Sequence, residues 1–196
     1  MPKTQAKPET QENPEAQAKP EVQAKPAKAQ PRPSVLRDMV FLLMKIAVIV
    51  IAFVALFTFL FGFERHQEPS MAPSIKDGDL VVFYRYTKIG FLPQDVIVLT
   101  HNGQRQVRRV IAIAGDIVDI TEDGLKVNGA LQQEQDIYLK TERYEDGVYF
   151  PLSVPDGYVF VLGDSRPGAT DSRIYGPVSI DDTLGKVMAV IRRRNI

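Results

Sequence analysis

Hydrophobic and polar positions fall into three regimes along the chain. Residues 1–33 contain almost nothing apolar and repeat a "QAKP" unit that begins at Gln5, Gln17 and Gln23. Such a segment cannot offset its ordering entropy, and each proline removes a backbone donor, so a disordered, partly extended tail is expected. Residues 39–63, "MVFLLMKIAVIVIAFVALFTFLFGF", are the opposite: from Ile46 to Phe63 no residue is charged. As a helix rising about 1.5 Å per residue, this run reaches roughly 37 Å, enough to cross a hydrocarbon core of about 30 Å with some tilt. From residue 64 onward the pattern changes to short alternating or apolar runs separated by turn signals. "DLVVFYRY", "DVIVLT", "QVRRVIAIA", "IVDIT", "LKVNG", "YVFVLGD" and "LGKVMAVIRRR" read as strands. Asn102-Gly103 suits a two-residue hairpin turn between the second and third, and "EDG" at 122–124 marks a second hairpin. The pattern predicts an all-β domain over 64–196, a barrel or folded sheet around a single core. The polar, irregular stretch around 131–153 forms a small lobe on it.

Charge and composition refine this picture. The 24 basic and 24 acidic side chains balance, so no nucleic-acid partner is expected. Cysteine is absent and His66 and His101 are the only histidines, which argues against thiolate or multi-histidine metal sites; no metal and no cofactor are expected. The acids of "DIVDITEDG" read as turn residues, and Arg192 to Arg194 as a solvated strand end. A cleaved signal peptide fits residues 39–63 poorly, because some 38 residues precede them and no small-x-small site follows. Arg32, Arg37 and Lys45 lie on the N-terminal side of the span, whereas "ERHQE" on the other side is mixed. The positive-inside rule then predicts a single-pass protein of the cell membrane, its tail cytoplasmic and its β domain extracytoplasmic.

Candidate chemistry lies in three stretches: "SMAPSIKDGDLV" starting at Ser70, "RRVIAIAGD" at 108–116, and "GDSRPGATDSRIYGPV" at 163–178. They resemble, in order and spacing, the SM-x-P-T, K-R-V-x-G-x-P-G-D and G-D-N-R-x-x-S-x-D-S-R-x-x-G boxes of bacterial type I signal peptidases, in the short form with one anchor. The resemblance covers about residues 64–194. It implies a membrane-anchored serine endopeptidase with the signal-peptidase-like folded sheet, which removes signal peptides from exported preproteins after small residues at −1 and −3. It also implies a Ser/Lys dyad, in which an unprotonated buried lysine takes the serine proton. Ser70 takes the nucleophile's place.

The base has no such counterpart. Counting back eight residues from Asp116 sets Arg108 where the family has its lysine, and Arg109 where it has the following arginine. A guanidinium is effectively never deprotonated in a protein, so Arg108 cannot serve as the general base. Ala169 stands where the family's third box has a serine that orients the lysine, although Thr170 beside it carries a hydroxyl. By the same resemblance Asp171, Arg173 and Arg109 are expected to form a supporting charge cluster. Glu68 and Pro69 differ from the small or polar residues that usually precede the nucleophile, which puts one oxyanion donor in doubt. Glu68, two residues from Ser70, and His66, four residues away, are the alternative bases. His101 sits at a hairpin tip, and Lys76 and Lys88 beside turns.

Two readings stay open on the sequence. One is a signal-peptide-removing peptidase whose base is not the family's lysine. The other is a catalytically impaired homologue that binds rather than cuts, for example an assembly factor for pilin subunits, in which Arg108 holds a partner's carboxylate.

Overall fold

A computed structural model describes residues 34–85, 90–133, 137 and 139–192. The expected tail at 1–33, Lys88, and Arg193 and Arg194 lie outside the described residues. Chain contacts divide into two units, Met1–Met44 and Lys45–Ile196. Within the first, residues from Val35 on are helical; the second carries the rest of that helix and all the strands.

The helix, α1, runs Val35–Leu60, against the 39–63 expected. Its start is earlier because Ser34 acts as an N-cap: the Arg37 amide donates to the Ser34 hydroxyl at 3.4 Å and the Asp38 amide to the Ser34 carbonyl at 3.0 Å. Its end is earlier because Phe61–Arg65 form strand β1, and Phe61 to Arg65 pair antiparallel with Tyr84 to Leu80. No residue of α1 is buried, and apolar side chains surround it, as expected of a helix solvated by hydrocarbon. Among the described residues it is the one helix long and apolar enough to cross a membrane.

Beyond β1 the strands are β2 (Leu80–Tyr84), β3 (Val96–His101), β4 (Gln104–Ile113), β5 (Ile117–Thr121), β6 (Gly124–Val127), β7 (Ala130–Leu131), β8 (Leu152–Ser153), β9 (Tyr158–Leu162), β10 (Val178–Ser179) and β11 (Thr183–Ile191). A short helix, α2, spans Ser172–Tyr175. Among the described residues the strands make a seven-stranded sheet in the order β1-β2-β11-β3-β4-β9-β10 and a four-stranded sheet in the order β7-β6-β5-β8. The pairings are antiparallel throughout. At Asn102 and Gly103 φ is +49° and +74°, the primed-turn geometry read from that dipeptide. The chain is therefore mostly β, with a smaller sheet as the lobe; residues 139–151 within the lobe carry no strand.

Three apolar clusters hold the domain together. Met71, Ile75, Val81, Phe83, Val98 and Val107 pack beneath the segment that carries Ser70. Ile97, Leu99, Val110, Val159 and Val161 form the centre of the large sheet. Ile111, Val118, Ile120, Leu125, Phe160 and Leu162 join strands of the two sheets. Because β4 contributes to all three, its position and register are fixed by burial along nearly its whole length.

Candidate active site

The nucleophile candidate sits on a tight turn after β1. Pro69–Met71 make one 3-10 turn closed by the Ala72 amide donating to the Pro69 carbonyl at 3.0 Å. Proline at the first position supplies a preset φ where no amide donor is needed. Met71 anchors the turn from below in the apolar cluster, and Ser70 is itself buried. From the other side the Ser165 amide donates to the Ser70 carbonyl at 2.9 Å. Gly163 permits that approach: a Cβ there would fall 2.7 Å from the Ser70 carbonyl oxygen and 2.7 Å from the Ala169 Cβ.

Strand alternation turns Val107 into the apolar cluster and Arg108 to the opposite face. Arg108 is fully buried, and its N–H groups all meet acceptors. Nε and Nη2 donate to the Thr170 carbonyl at 3.0 and 2.8 Å. Nη1 donates to Glu68 Oε1 at 2.5 Å, the Val107 carbonyl at 2.6 Å and Ser70 Oγ at 2.8 Å, and Nη2 reaches Glu68 Oε2 at 3.4 Å. A guanidinium has five donors, and here none is left for an incoming carboxylate. The expected binding of a partner's carboxylate by Arg108 is therefore corrected: an internal carboxylate already occupies it.

Glu68 is brought to Ser70 and Arg108 together. Ser70 Oγ and Glu68 Oε1 share the Arg108 Nη1 donor. Burial works to raise the Glu68 carboxyl, but the hydrogen bond and charge of Arg108, helped by Ser70 and His66, hold it below its ordinary value. His66 is buried and takes no hydrogen bond at Nε2 among the described residues. Desolvation lowers its pKa, against the pull of Glu68 and with the push of Arg108. It has no hydrogen bond to Ser70 among those described, so the geometry separates the two alternative bases. His101 stacks on Tyr175 with ring centroids 4.0 Å apart, and Lys76 is exposed.

The supporting charges divide differently from the expectation. Arg173 pairs with both carboxylate oxygens of Asp171 at 2.9 Å, and both side chains are buried. Asp171 also caps α2 by accepting from the Arg173 amide and takes the Gly163 amide at 3.1 Å. Arg109 belongs elsewhere: it pairs with Asp164 through Nε at 2.8 Å and Nη2 at 2.6 Å. Adjacent residues of a strand face opposite sides, so Arg109 cannot join Arg108's neighbours on the other face. Ala169 is buried and offers only its carbonyl, to Tyr144 Oη at 3.1 Å. Thr170 is exposed, and its carbonyl rather than its hydroxyl reaches Arg108.

Asp164, Gly163, the Thr170 carbonyl and Tyr175 were not singled out by sequence reasoning. The first two lie inside the quoted "GDSR" and carried a signal there. Tyr175 Oη donates to Gln106 Oε1 at 3.3 Å; burial pushes its phenol pKa up, and Arg108, Asp171 and Glu68 all act on it. A cleft of about 510 Å3, lined by residues 64–68, 103–105 and Val107, opens beside Glu68. A larger hollow of about 730 Å3 lies at the end of α1 beside Arg85 and holds none of these groups.

A serine on a constrained turn, touching a carboxylate and a cation beside an open cleft, can perform nucleophilic acyl transfer. Comparison with known proteins agrees with that chemistry. The model of the family described as "Signal peptidase, peptidase S26" matches residues 36–192. Signal peptidase I of Bacillus caldolyticus is 32% identical over 155 residues, covering 72% of this chain and 84% of the relative. The chloroplastic thylakoidal processing peptidase 1 of Arabidopsis thaliana is 34% identical over 114 residues, 55% of this chain; the match spans only 30% of that relative's length. A crystal structure of a signal peptidase I from Enterococcus faecalis aligns with a TM-score of 0.43 and 29% identity, over 50% of this chain and 97% of that one. The chain belongs to the signal peptidase family, peptidase S26.

Proposed function

We propose that this protein is a serine endopeptidase that removes signal peptides from exported preproteins, with Ser70 as its nucleophile. In this reading α1 is the membrane anchor, residues 1–33 are cytoplasmic, and residues 64–196 work on the outer face of the membrane. The observation that carries the reading is the 2.8 Å contact between Ser70 Oγ and Arg108, two residues 38 apart in sequence. This contact supports the reading because Ser70 and Arg108 are the positions whose surrounding motifs resemble those of the family's nucleophile and base. The relatives named signal peptidase I support the substrate class, a preprotein with small residues before the cut.

The second reading, a non-cutting partner of pilin subunits, rests on Arg108 and Ala169, which stand where the family has its base and the serine that orients it. The carboxylate binding it offers needs a free guanidinium, and Arg108 is saturated by Glu68, Val107, Ser70 and Thr170. A single assay decides between them. The full-length protein in detergent is given a preprotein with an Ala-x-Ala site, and the product is followed by mass. Cleavage at that site, abolished in Ser70→Ala, is the expected result. Intact preprotein after long incubation with the folded, unaltered protein would leave the binding reading.

A further inference from the structure

We propose that Glu68 accepts the Ser70 proton, while Arg108 stays cationic and holds the two side chains in register. The inference rests on the peptidase reading above and names the base which that reading leaves open.

Geometry supports it in three ways. Arg108 Nη1 donates to both Ser70 Oγ and Glu68 Oε1, at 2.8 and 2.5 Å, so the two oxygens are gathered around one nitrogen. Because a guanidinium only donates, the hydroxyl proton of Ser70 must be directed at another acceptor, and the Glu68 carboxylate, held on the same Arg108 nitrogen, is the acceptor gathered beside it. Arg108 in turn is oriented by the Thr170 carbonyl, which takes both Nε and Nη2, so a hydroxyl at position 169 has no task here. The groups acting on Glu68 from neighbouring elements are Arg108 of β4, Tyr175 of α2 and His66 of its own segment; Glu64 and Arg105, paired at 2.8 Å, line the cleft beside it.

The chemistry balances without any further reactant. Ser70 Oγ bonds to the scissile carbonyl carbon as its proton moves to Glu68, and the carbonyl π pair becomes an oxyanion. The oxyanion's collapse breaks the C–N bond, and protonated Glu68 gives its proton to the departing amine. Water then attacks the Ser70 ester, passes one proton to Glu68, and that proton returns to Oγ as the acid leaves. Arg108 neutralises charge beside these steps and exchanges no proton. A carboxylate held below its ordinary pKa is a weak base, so slow turnover is expected.

The test uses the full-length protein in detergent and a peptide containing Ala-x-Ala. Glu68→Gln should lower kcat by about 10²–10⁴-fold with KM changed by less than about threefold, and Glu68→Asp should recover part of the loss. His66→Gln should lower kcat at least about tenfold less than Glu68→Gln does. The unaltered protein provides a check that no variant can spoil by misfolding: its kcat should persist from neutral pH down to the ordinary glutamate range or below, where Glu68 takes up its proton. A Glu68→Gln variant within tenfold of the unaltered protein, or an acid limb at or above neutral pH, overturns the assignment of the base and leaves the peptidase reading intact. Failure of the unaltered protein to cut overturns the peptidase reading itself.

Discussion

Two arginine–carboxylate pairs stand within one site and differ in kind. Asp171 and Arg173 are two residues apart, both buried, and bonded through both carboxylate oxygens. Among the described residues the pair's other side-chain hydrogen bonds go to backbone, the Gly163 and Arg173 amides and the Arg166 and Glu142 carbonyls, and the guanidinium lies over the Tyr144 ring. Arg108 and Glu68 are 40 residues apart, the arginine is fully buried, and the glutamate side chain is 36% exposed. Their pair touches the Ser70 hydroxyl, and its carboxylate borders an open cleft. The same ionic chemistry thus serves two ends. Enclosed by backbone, it fixes the course of a loop; with a partly exposed carboxylate and a hydroxyl alongside, it leaves a group that can accept a proton.

Breaking the enclosed pair should have the larger consequence. Asp171→Asn strands a buried guanidinium, and loss of one partner of such a pair costs about 3–5 kcal/mol, so the urea midpoint should fall sharply. Gly163→Ala tests the loop which that pair supports. The new Cβ would press on the Ser70 carbonyl, and overpacking of this kind costs about 1–3 kcal/mol. Activity should fall with it, because the carbonyl it displaces belongs to the nucleophile. At the open pair the effect appears with pH. Glu68 is held below its ordinary value of 4.5, so its contribution to stability is present above that value and is lost as pH falls through the depressed one. Thermal melting from pH 6 downward should show a destabilisation confined to the region below about 4.5, and Glu68→Gln should remove that step. Smallest of all, Tyr175→Phe removes the 3.3 Å bond to Gln106 and should cost about 1 kcal/mol in chemical denaturation.

Much of this architecture was legible in the sequence. Asn102-Gly103 specified its hairpin because only a few residues tolerate both positive φ values. Alternation in "IVDIT" marked a strand with one face to bury, and the apolar run in "YVFVLGD" a strand buried on both faces. Arg108 could be identified as an obstacle to lysine chemistry from residue type alone. Glu68 was a candidate because it lies two residues from Ser70, a separation the chain can always close. What could not be read were contacts carried by backbone atoms or by distant partners. The Thr170 carbonyl that orients Arg108 has no residue-type signature, and Arg109 finds Asp164 across 55 positions through the pairing of β4 with β9. The helix bounds moved for a related reason. Phe61 and Phe63 are as apolar as the span before them, and only their pairing with β2 takes them out of it.

The burial of Arg108 also sets how the site responds to ions in solution. Mobile counterions screen exposed charges within about 10 Å at 0.1 M salt, but they cannot enter between a guanidinium with no solvent contact and the oxygens bonded to it. The field at Ser70 is therefore screened much less than that of an exposed pair. The half-exposed Arg105–Glu64 pair at the rim of the same cleft, with the arginine side chain 56% accessible, is open to screening. Added salt should loosen how a charged polypeptide enters the cleft while changing the field at the reactive centre far less.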